Sequence, residues 1–498
     1  MHFDRCALET LVEQALHDWR QPALALSVVA GDTVFAGGYG IRCVDSQRAV
    51  DDDTVFALAS CSKPFAVTAA LMLQAEGRLG LDDRVPKFLP EFRLSDPRVT
   101  EEVTIRDLMC NRLGLLPSEG RHRQAAADRK DLIARMRHQP FRHAFRGGYG
   151  YCTDAFTVLG EVLEAASGMA WPEFLKERIS RPLGLRRTNA CHRAAQAAGN
   201  FAHPHLRATD GRVRLIPWRY EDHVAAPAGG VNSTASDMAR WLSFLLTGKT
   251  PGGETLLPLE TLQQAHVPHT PDTGPFAEAE MSQAMGDFAG EVTDAAYGLG
   301  WYTHRYGGHR IVYHTGSIDG FRAITGLIPD LDFAVSVLAN ADNPFLPRMI
   351  FQTLIDHALG RGGRDWSETF LRYQNEAGGG KQLCDPPREH LSKQECAWLA
   401  PLEGDYQEDT GFGRSRVIRQ GKRFILEVGA LEFLLLPVSP TRFEAHKVWP
   451  YHTGPQFTAD VILSQDGTVT GFRTSQAAVF RSLSGSPPSG QRNPMGEP

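Results

Sequence analysis

Ser60-Cys-Ser-Lys63 sets a hydroxyl and an amine three residues apart, where an extended run, Val55-Phe-Ala-Leu-Ala, meets the apolar stretch Phe65 to Ala75. If that stretch is helical, positions i and i+3 share a face and the Lys63 nitrogen reaches the Ser60 hydroxyl. A serine hydroxyl is a weak nucleophile until a base takes its proton, and a partly desolvated lysine amine can do so. A helix N-terminus at the same place adds positive potential where an oxyanion would form, worth about 0.3–2 kcal/mol. Two more places carry reactive side chains. Tyr151-Cys-Thr153 stands just before the apolar Phe156-Thr-Val-Leu, and a tyrosine held near an ammonium can shuttle a proton. His314-Thr-Gly316 ends a strand-like run; its glycine permits close backbone approach of a substrate, and an edge strand there would hold an extended acyl chain. Taken singly, each pattern also has a bland reading: an N-capping serine with a solvated lysine, a buried tyrosine with its hydroxyl satisfied, an ordinary strand end.

The surrounding patterns supply elements to position these groups. Leu8, Leu11, Val12, Ala15 and Leu16 recur at helical spacing and predict a helix over 7–19. Leu24 to Ala30, a Gly-Asp turn and Thr33 to Tyr39 predict a β-hairpin. Helices are expected over 65–75, 155–167 and 235–247, and strands at Arg310–His314 and Phe333–Ala339. Strands at both ends of a segment with helices between them imply an α/β sandwich, its sheet closed by sequence-distant strands. Beyond about residue 360 the composition changes. Gly360-Arg-Gly-Gly, Gly378-Gly-Gly-Lys and Asp385-Pro-Pro read as a linker over 363–395. Short strand candidates then follow: Arg416–Arg419, Arg423–Val428, Glu432–Leu436, Arg442–Ala445, Ala459–Leu463 and Val469–Phe472. Their spacing predicts a small all-β barrel or sandwich over 396–483. The tail 484–498, rich in Ser, Pro and Gly, is expected to be disordered.

The 498 residues carry 52 basic and 58 acidic side chains, a formal charge of −6, which argues against a nucleic-acid partner. Only nine of the basic residues are lysines, so a lysine inside a motif carries more weight than an arginine would. No run approaches the 18 apolar residues of a membrane helix. The first residues are acidic where a secretory leader would be basic and then apolar. A cytoplasmic protein without a membrane partner is therefore expected. The eight cysteines never form a C-x-x-C pair, which suggests reduced thiols rather than a zinc site or disulfide framework. His203-Pro-His205 is read as two loop histidines; no metal and no cofactor is implied.

In order, spacing and setting the three motifs together resemble those of the serine β-lactamase and penicillin-binding-protein superfamily, S-x-x-K, Y-x-N and K-T-G or H-x-G. The flanks match too: Phe56-Ala-Leu-Ala-Ser-Cys-Ser-Lys-Pro-Phe, Leu79-Gly-Leu-Asp-Asp-Arg-Val, Pro182-Leu-Gly-Leu, Ala226-Pro-Ala-Gly-Gly-Val-Asn-Ser-Thr, and Tyr297-Gly-Leu-Gly-Trp leading to His314. The resemblance covers roughly residues 8–360 and is closest to the class C-like branch, with its esterases, D-aminopeptidases, carboxypeptidases and acyltransferases. It implies a β-lactamase-like catalytic domain over 1–362, with an antiparallel sheet flanked by helices. The C-terminal part is similar to the lipocalin-like barrel that often follows.

By that resemblance Ser60 would be the acylated nucleophile and Lys63 its proton acceptor. Tyr151 would be the general acid/base, and His314 would stand where many relatives have lysine, supporting Tyr151 electrostatically and helping to bind substrate. The backbone N–H groups of Ser60 and Ser317 would form the oxyanion hole, with Thr153, Thr315 and Gly316 binding substrate. Thr153 replaces the usual Asn, and Met109-Cys-Asn-Arg-Leu-Gly replaces a more usual Leu-Leu-x-His-Thr-Ser-Gly; both point away from efficient β-lactam or D-peptide hydrolysis. The expected reaction is hydrolysis of a small-molecule ester, amide or peptide through a Ser60 acyl-enzyme. An acyltransferase or peptidyl-thioesterase using the same intermediate, and a catalytically silent binding or sensor protein, remain open, as does the oligomeric state.

Overall fold

A computed structural model describes residues 4–115, 126–218, 222–271, 290–377, 382–388, 390–408, 414–429, 431–448, 453–475 and 478–483. The chain divides into two compact units, the first running to Leu383 and the second from Cys384 onward.

An eight-stranded antiparallel sheet is the frame of the first unit. Its strands are β1 (Ala23–Ala30), β2 (Thr33–Gly40), β3 (Thr270–Pro271), β4 (Val292–Tyr297), β5 (Tyr302–Tyr306), β6 (His309–Ile318), β7 (Phe321–Ile328) and β8 (Phe333–Ala339). They lie in the order β2-β1-β8-β7-β6-β5-β4-β3. The sequence-distant closure expected from the pattern is the β1–β8 pair, in register from Leu24 with Ala339 to Ala30 with Phe333.

Every residue of β1 is buried, because both faces of the sheet are covered. Leu24, Leu26 and Val28 point to one face, where they meet α1 (Arg5–Asp18), α6 (Leu346–Ala358) and α7 (Trp366–Ala377). Ala23, Ala25 and Val29 point to the other. That second face carries α2 (Lys63–Ala75), α3 (Thr153–Ser167), α4 (Asp222–Gly229) and α5 (Ala235–Thr247). There Trp241 of α5 stacks on Phe65 of α2 with ring centroids 3.9 Å apart, worth about 0.5–1.5 kcal/mol beyond the buried area. Within the stretch 363–395, expected as a linker, residues Trp366–Ala377 form α7 of this unit. Trp366 and Phe370 are buried against α6, and Asp356 accepts hydrogen bonds from Trp366 Nε1 and Tyr306 Oη at 2.7 Å each. The flanking glycines signalled irregular backbone, but the amphipathic turn between them found a core to cover.

In the second unit eight strands close into an up-and-down barrel: β9 (Gly404–Glu408), β10 (Arg414–Gln420), β11 (Arg423–Val428), β12 (Leu431–Ser439), β13 (Arg442–Lys447), β14 (Phe457–Leu463), β15 (Val469–Thr474) and β16 (Val479–Ser482). Tyr406, Phe424, Phe433, Phe443, Phe457, Phe472 and Phe480 form its buried aromatic core. The two end strands, β9 and β16, escaped the sequence pattern because each shows too few alternating residues. They pair with each other and so leave no open edge. The tail 484–498 lies outside the described residues. Among the described residues no helix is long and apolar enough to cross a membrane.

Candidate active site

Three segments converge between the sheet and the helical face. A short ladder, Phe56 with Ser233 and Ala57 with Asn232, and a bond from Leu58 N–H to the Val231 carbonyl at 3.0 Å fix the approach to the nucleophile. The chain then turns through a 3₁₀ segment, Ala59–Ser62, into α2. Ala59 takes a left-handed φ of +47°, a conformation that costs a non-glycine residue roughly 1–2 kcal/mol and persists where the surroundings over-determine it. Ser60 is half-buried, whereas Ala59, Cys61 and Ser62 are buried. The turn thus presents one hydroxyl. Ser62 is spent on structure: it donates to the Ala59 carbonyl and accepts from Val231 N–H.

Lys63 is completely buried. Its Nζ donates to Ser60 Oγ at 3.0 Å and to the Ala228 carbonyl of α4 at 2.9 Å. The same amine stands 4.9 Å from the ring centroid of Tyr151 and 5.4 Å from that of Phe156. Tyr151 is half-buried just ahead of α3, whose first residue is Thr153, also half-buried.

The third segment is the end of β6. Its neighbour β5 pairs only from His309 to Tyr313, so residues 314–318 have β7 on one side and the nucleophile turn on the other. Gly316 is what lets the two approach, for a Cβ there would lie 2.1 Å from the Leu58 carbonyl oxygen. Cys61 Sγ donates to the His314 carbonyl at 3.2 Å and ties turn to strand a second time. Thr315 is half-buried and Ser317 exposed beside the site.

His314 is buried, with its ring centroid 6.2 Å from that of Tyr151. Nδ1 lies 2.6 Å from the Thr315 carbonyl, which can only accept, so Nδ1 carries the proton. Nε2 is then the acceptor for the Tyr297 hydroxyl at 3.0 Å. Burial, with the Lys63 charge second, pushes the ring down to about 3. It is neutral at any ordinary pH, and whatever it lends Tyr151 comes from the dipole of a neutral imidazole rather than from a cation. Sequence reasoning missed the aromatic floor beneath it. Tyr149 and Tyr302 share a hydrogen bond at 2.8 Å, and Tyr302 stands edge-on to Tyr297 at 4.9 Å. The available signal was Tyr297-Gly-Leu-Gly-Trp, read only as a landmark.

The other candidates resolve simply. His205 is buried with Nδ1 on the Asn340 carbonyl and Nε2 accepting from Val44 N–H. Among the described residues no cluster of three or more His, Cys, Asp or Glu could hold a metal ion. None of the eight cysteines is in a disulfide.

Residues 8–357 match the family model described as Beta-lactamase, and the chain belongs to that family, whose members are in general serine hydrolases. It is 28% identical over 341 residues to the unguisins hydrolase ungD' of Aspergillus campestris, a match covering 66% of this chain and 60% of that protein. The chain therefore spans about three fifths of that relative's length. The fold is shared with the octameric penicillin-binding protein homologue from Pyrococcus abyssi, with a TM-score of 0.62, 20% identity, and coverage of 96% of this chain and 100% of the other. It is also shared with a class C beta lactamase from Rhodobacter sphaeroides, with a TM-score of 0.55, 22% identity, and coverage of 71% and 99%.

Proposed function

We propose that this chain is a hydrolase of small esters, amides or peptides that works through an acyl-enzyme on Ser60. The observation that carries the reading is the half-buried Ser60 hydroxyl held 3.0 Å from a fully buried lysine amine. Water is excluded from that amine, the setting in which a lysine serves as a base. Lys63 accepts the Ser60 proton as Oγ bonds to the substrate carbonyl carbon. The backbone N–H groups of Ser60 and Ser317 receive the oxyanion, each donor removing about 3–4 kcal/mol of barrier. Tyr151 gives its own proton to the leaving group, whose bond to the acyl carbon breaks, and is left as a phenolate beside the Lys63 ammonium. In the second half the Tyr151 phenolate takes a proton from water, the water oxygen bonds to the acyl carbon, and the acyl–Oγ bond breaks as the Lys63 ammonium returns its proton to Ser60. Thr153, Thr315 and Gly316 line the approach of the substrate backbone. In this reading the first unit carries the chemistry, and the barrel of the second is lipocalin-like in its strand order.

The test is intact mass after exposure to a fluorophosphonate, with Ser60→Ala alongside, followed by an ester screen with amine acceptors in competition. One adduct on the wild type and none on the variant is expected, with the acid as main product. Amide or ester products at low amine concentration would make the chain an acyltransferase. No adduct on folded protein would leave a binding protein.

A further inference from the structure

We infer that Asn111 is the positioning residue of Tyr151: one asparagine holds the backbone on both sides of the general acid/base, and deacylation depends on that hold. The inference rests on the role given to Tyr151 above. Residues 147–152 lie outside any helix or strand and include Gly147, Gly148 and Gly150, so the segment needs an external anchor to keep a hydroxyl in place. Asn111 supplies it. Its carbonyl accepts Gly150 N–H at 2.9 Å, and its Oδ1 accepts Cys152 N–H at 3.0 Å. Those are the amides immediately before and after Tyr151. The amide orientation of Asn111 is decided by chemistry, because the Cys152 N–H needs an acceptor and only Oδ1 is one.

Asn111 is fully buried, and its φ is +52°, a left-handed conformation that asparagine tolerates better than most residues. Its remaining polar atom, Nδ2, is buried without a hydrogen-bond partner. A turn residue needed only for folding would have its amide satisfied within the turn. Here the amide reaches out of its own turn to the Cys152 N–H, 41 residues further on.

The two half-reactions separate this role from plain stability. Ser60 is placed by the 3₁₀ turn and Lys63 by α2 and its bond to α4, so acylation by a substrate with a good leaving group does not need Tyr151. The experiment uses the full chain and p-nitrophenyl acetate, following nitrophenolate release before steady state and the acetyl adduct by intact mass. Asn111→Gly keeps the backbone carbonyl and the left-handed φ but removes Oδ1. It should accumulate acetyl-enzyme, with a burst near one equivalent and deacylation slowed about 10- to 100-fold, while fluorophosphonate labelling stays within about twofold. Asn111→Asp keeps an acceptor for Cys152 N–H and should restore deacylation to within about threefold, its limb moved to higher pH by the added negative charge near the phenol. Asn111→Ser, too short to reach the Cys152 amide, gives the same comparison should Asn111→Gly not fold. Equal slowing of labelling and deacylation, unchanged deacylation, or failure of Asn111→Asp to restore it would overturn the inference. A wild type without Ser60-dependent turnover would instead overturn the proposed function.

Discussion

Around the Lys63 amine stand the Ser60 hydroxyl, the Ala228 carbonyl and the faces of Tyr151 and Phe156. Replacing it with methionine keeps the volume and the apolar stem while removing the amine. Lys63→Met should therefore fold, with a thermal midpoint near that of the wild type, and should slow fluorophosphonate labelling of Ser60 by about 10²- to 10⁴-fold. Labelling rates measured under pseudo-first-order conditions check this, and a loss below about tenfold would move the base elsewhere. His314 differs from Lys63 in kind. It is held neutral chiefly by burial, so it orients through hydrogen bonds and adds no positive charge for a substrate carboxylate.

At the scale of elements, the site depends on how closely β6 approaches the nucleophile turn. Gly316 and Leu58 touch backbone to backbone, and neither can rotate away as a side chain would. Gly316→Ala would push the strand off the turn, stretch the Cys61–His314 link and displace Ser317. We expect a loss of roughly 1–3 kcal/mol in stability and about 10²-fold in acylation rate, read from denaturant midpoints and labelling kinetics. A variant stable and fast as the wild type would show that the strand has room to spare. Other contacts set the rest of the frame. Asp237, buried at the start of α5, accepts the N–H groups of Arg186, Arg187 and Thr188. In doing so it gathers a loop onto the helical face that no local pattern would place there.

At the scale of the whole molecule, three buried histidines couple folding to pH. Burial, the largest cause in each, pushes His304 and His314 down to about 3 and His266 to about 4. Above pH 6.5 these rings are neutral in both the folded and the unfolded chain and favour neither. Below it the unfolded chain takes up protons that the folded chain refuses. Stability is thus fully present above about 6.5 and falls as the pH drops towards 3–4, by up to about 1.4 kcal/mol per pH unit for each histidine. His304 Nδ1 has no hydrogen-bond partner, so an apolar replacement leaves no partner of that atom unpaired. His304→Leu should cut the stability difference between pH 7.5 and pH 5 by about 2 kcal/mol. Urea unfolding at the two pH values checks it; an unchanged difference would mean the ring is protonated in the folded state.

Much was legible in the residues alone. The helix over 235–247 and the strand over 333–339 coincide with α5 and β8, because periodicity is a local property that burial on one or both faces imposes directly. The i, i+3 spacing of Ser60 and Lys63 and the glycine of His314-Thr-Gly316 were legible for the same reason, since short-range geometry follows from the backbone. Other features are contacts between residues far apart in sequence. Asn111 with Gly150 and Cys152, Gly316 with Leu58, and Tyr297 with His314 have no periodic signature. The charge of His314 was likewise invisible, because a pKa is set by what surrounds the ring and not by its neighbours in the chain. The helix within 363–395 shows the same limit: its flanks announce a break, and only the core it covers makes it a helix. By itself, then, the sequence determined which side chains are available and which elements carry them. The tertiary structure decided their protonation, their distances and the anchors that hold them, since those depend on long-range packing and on the exclusion of water.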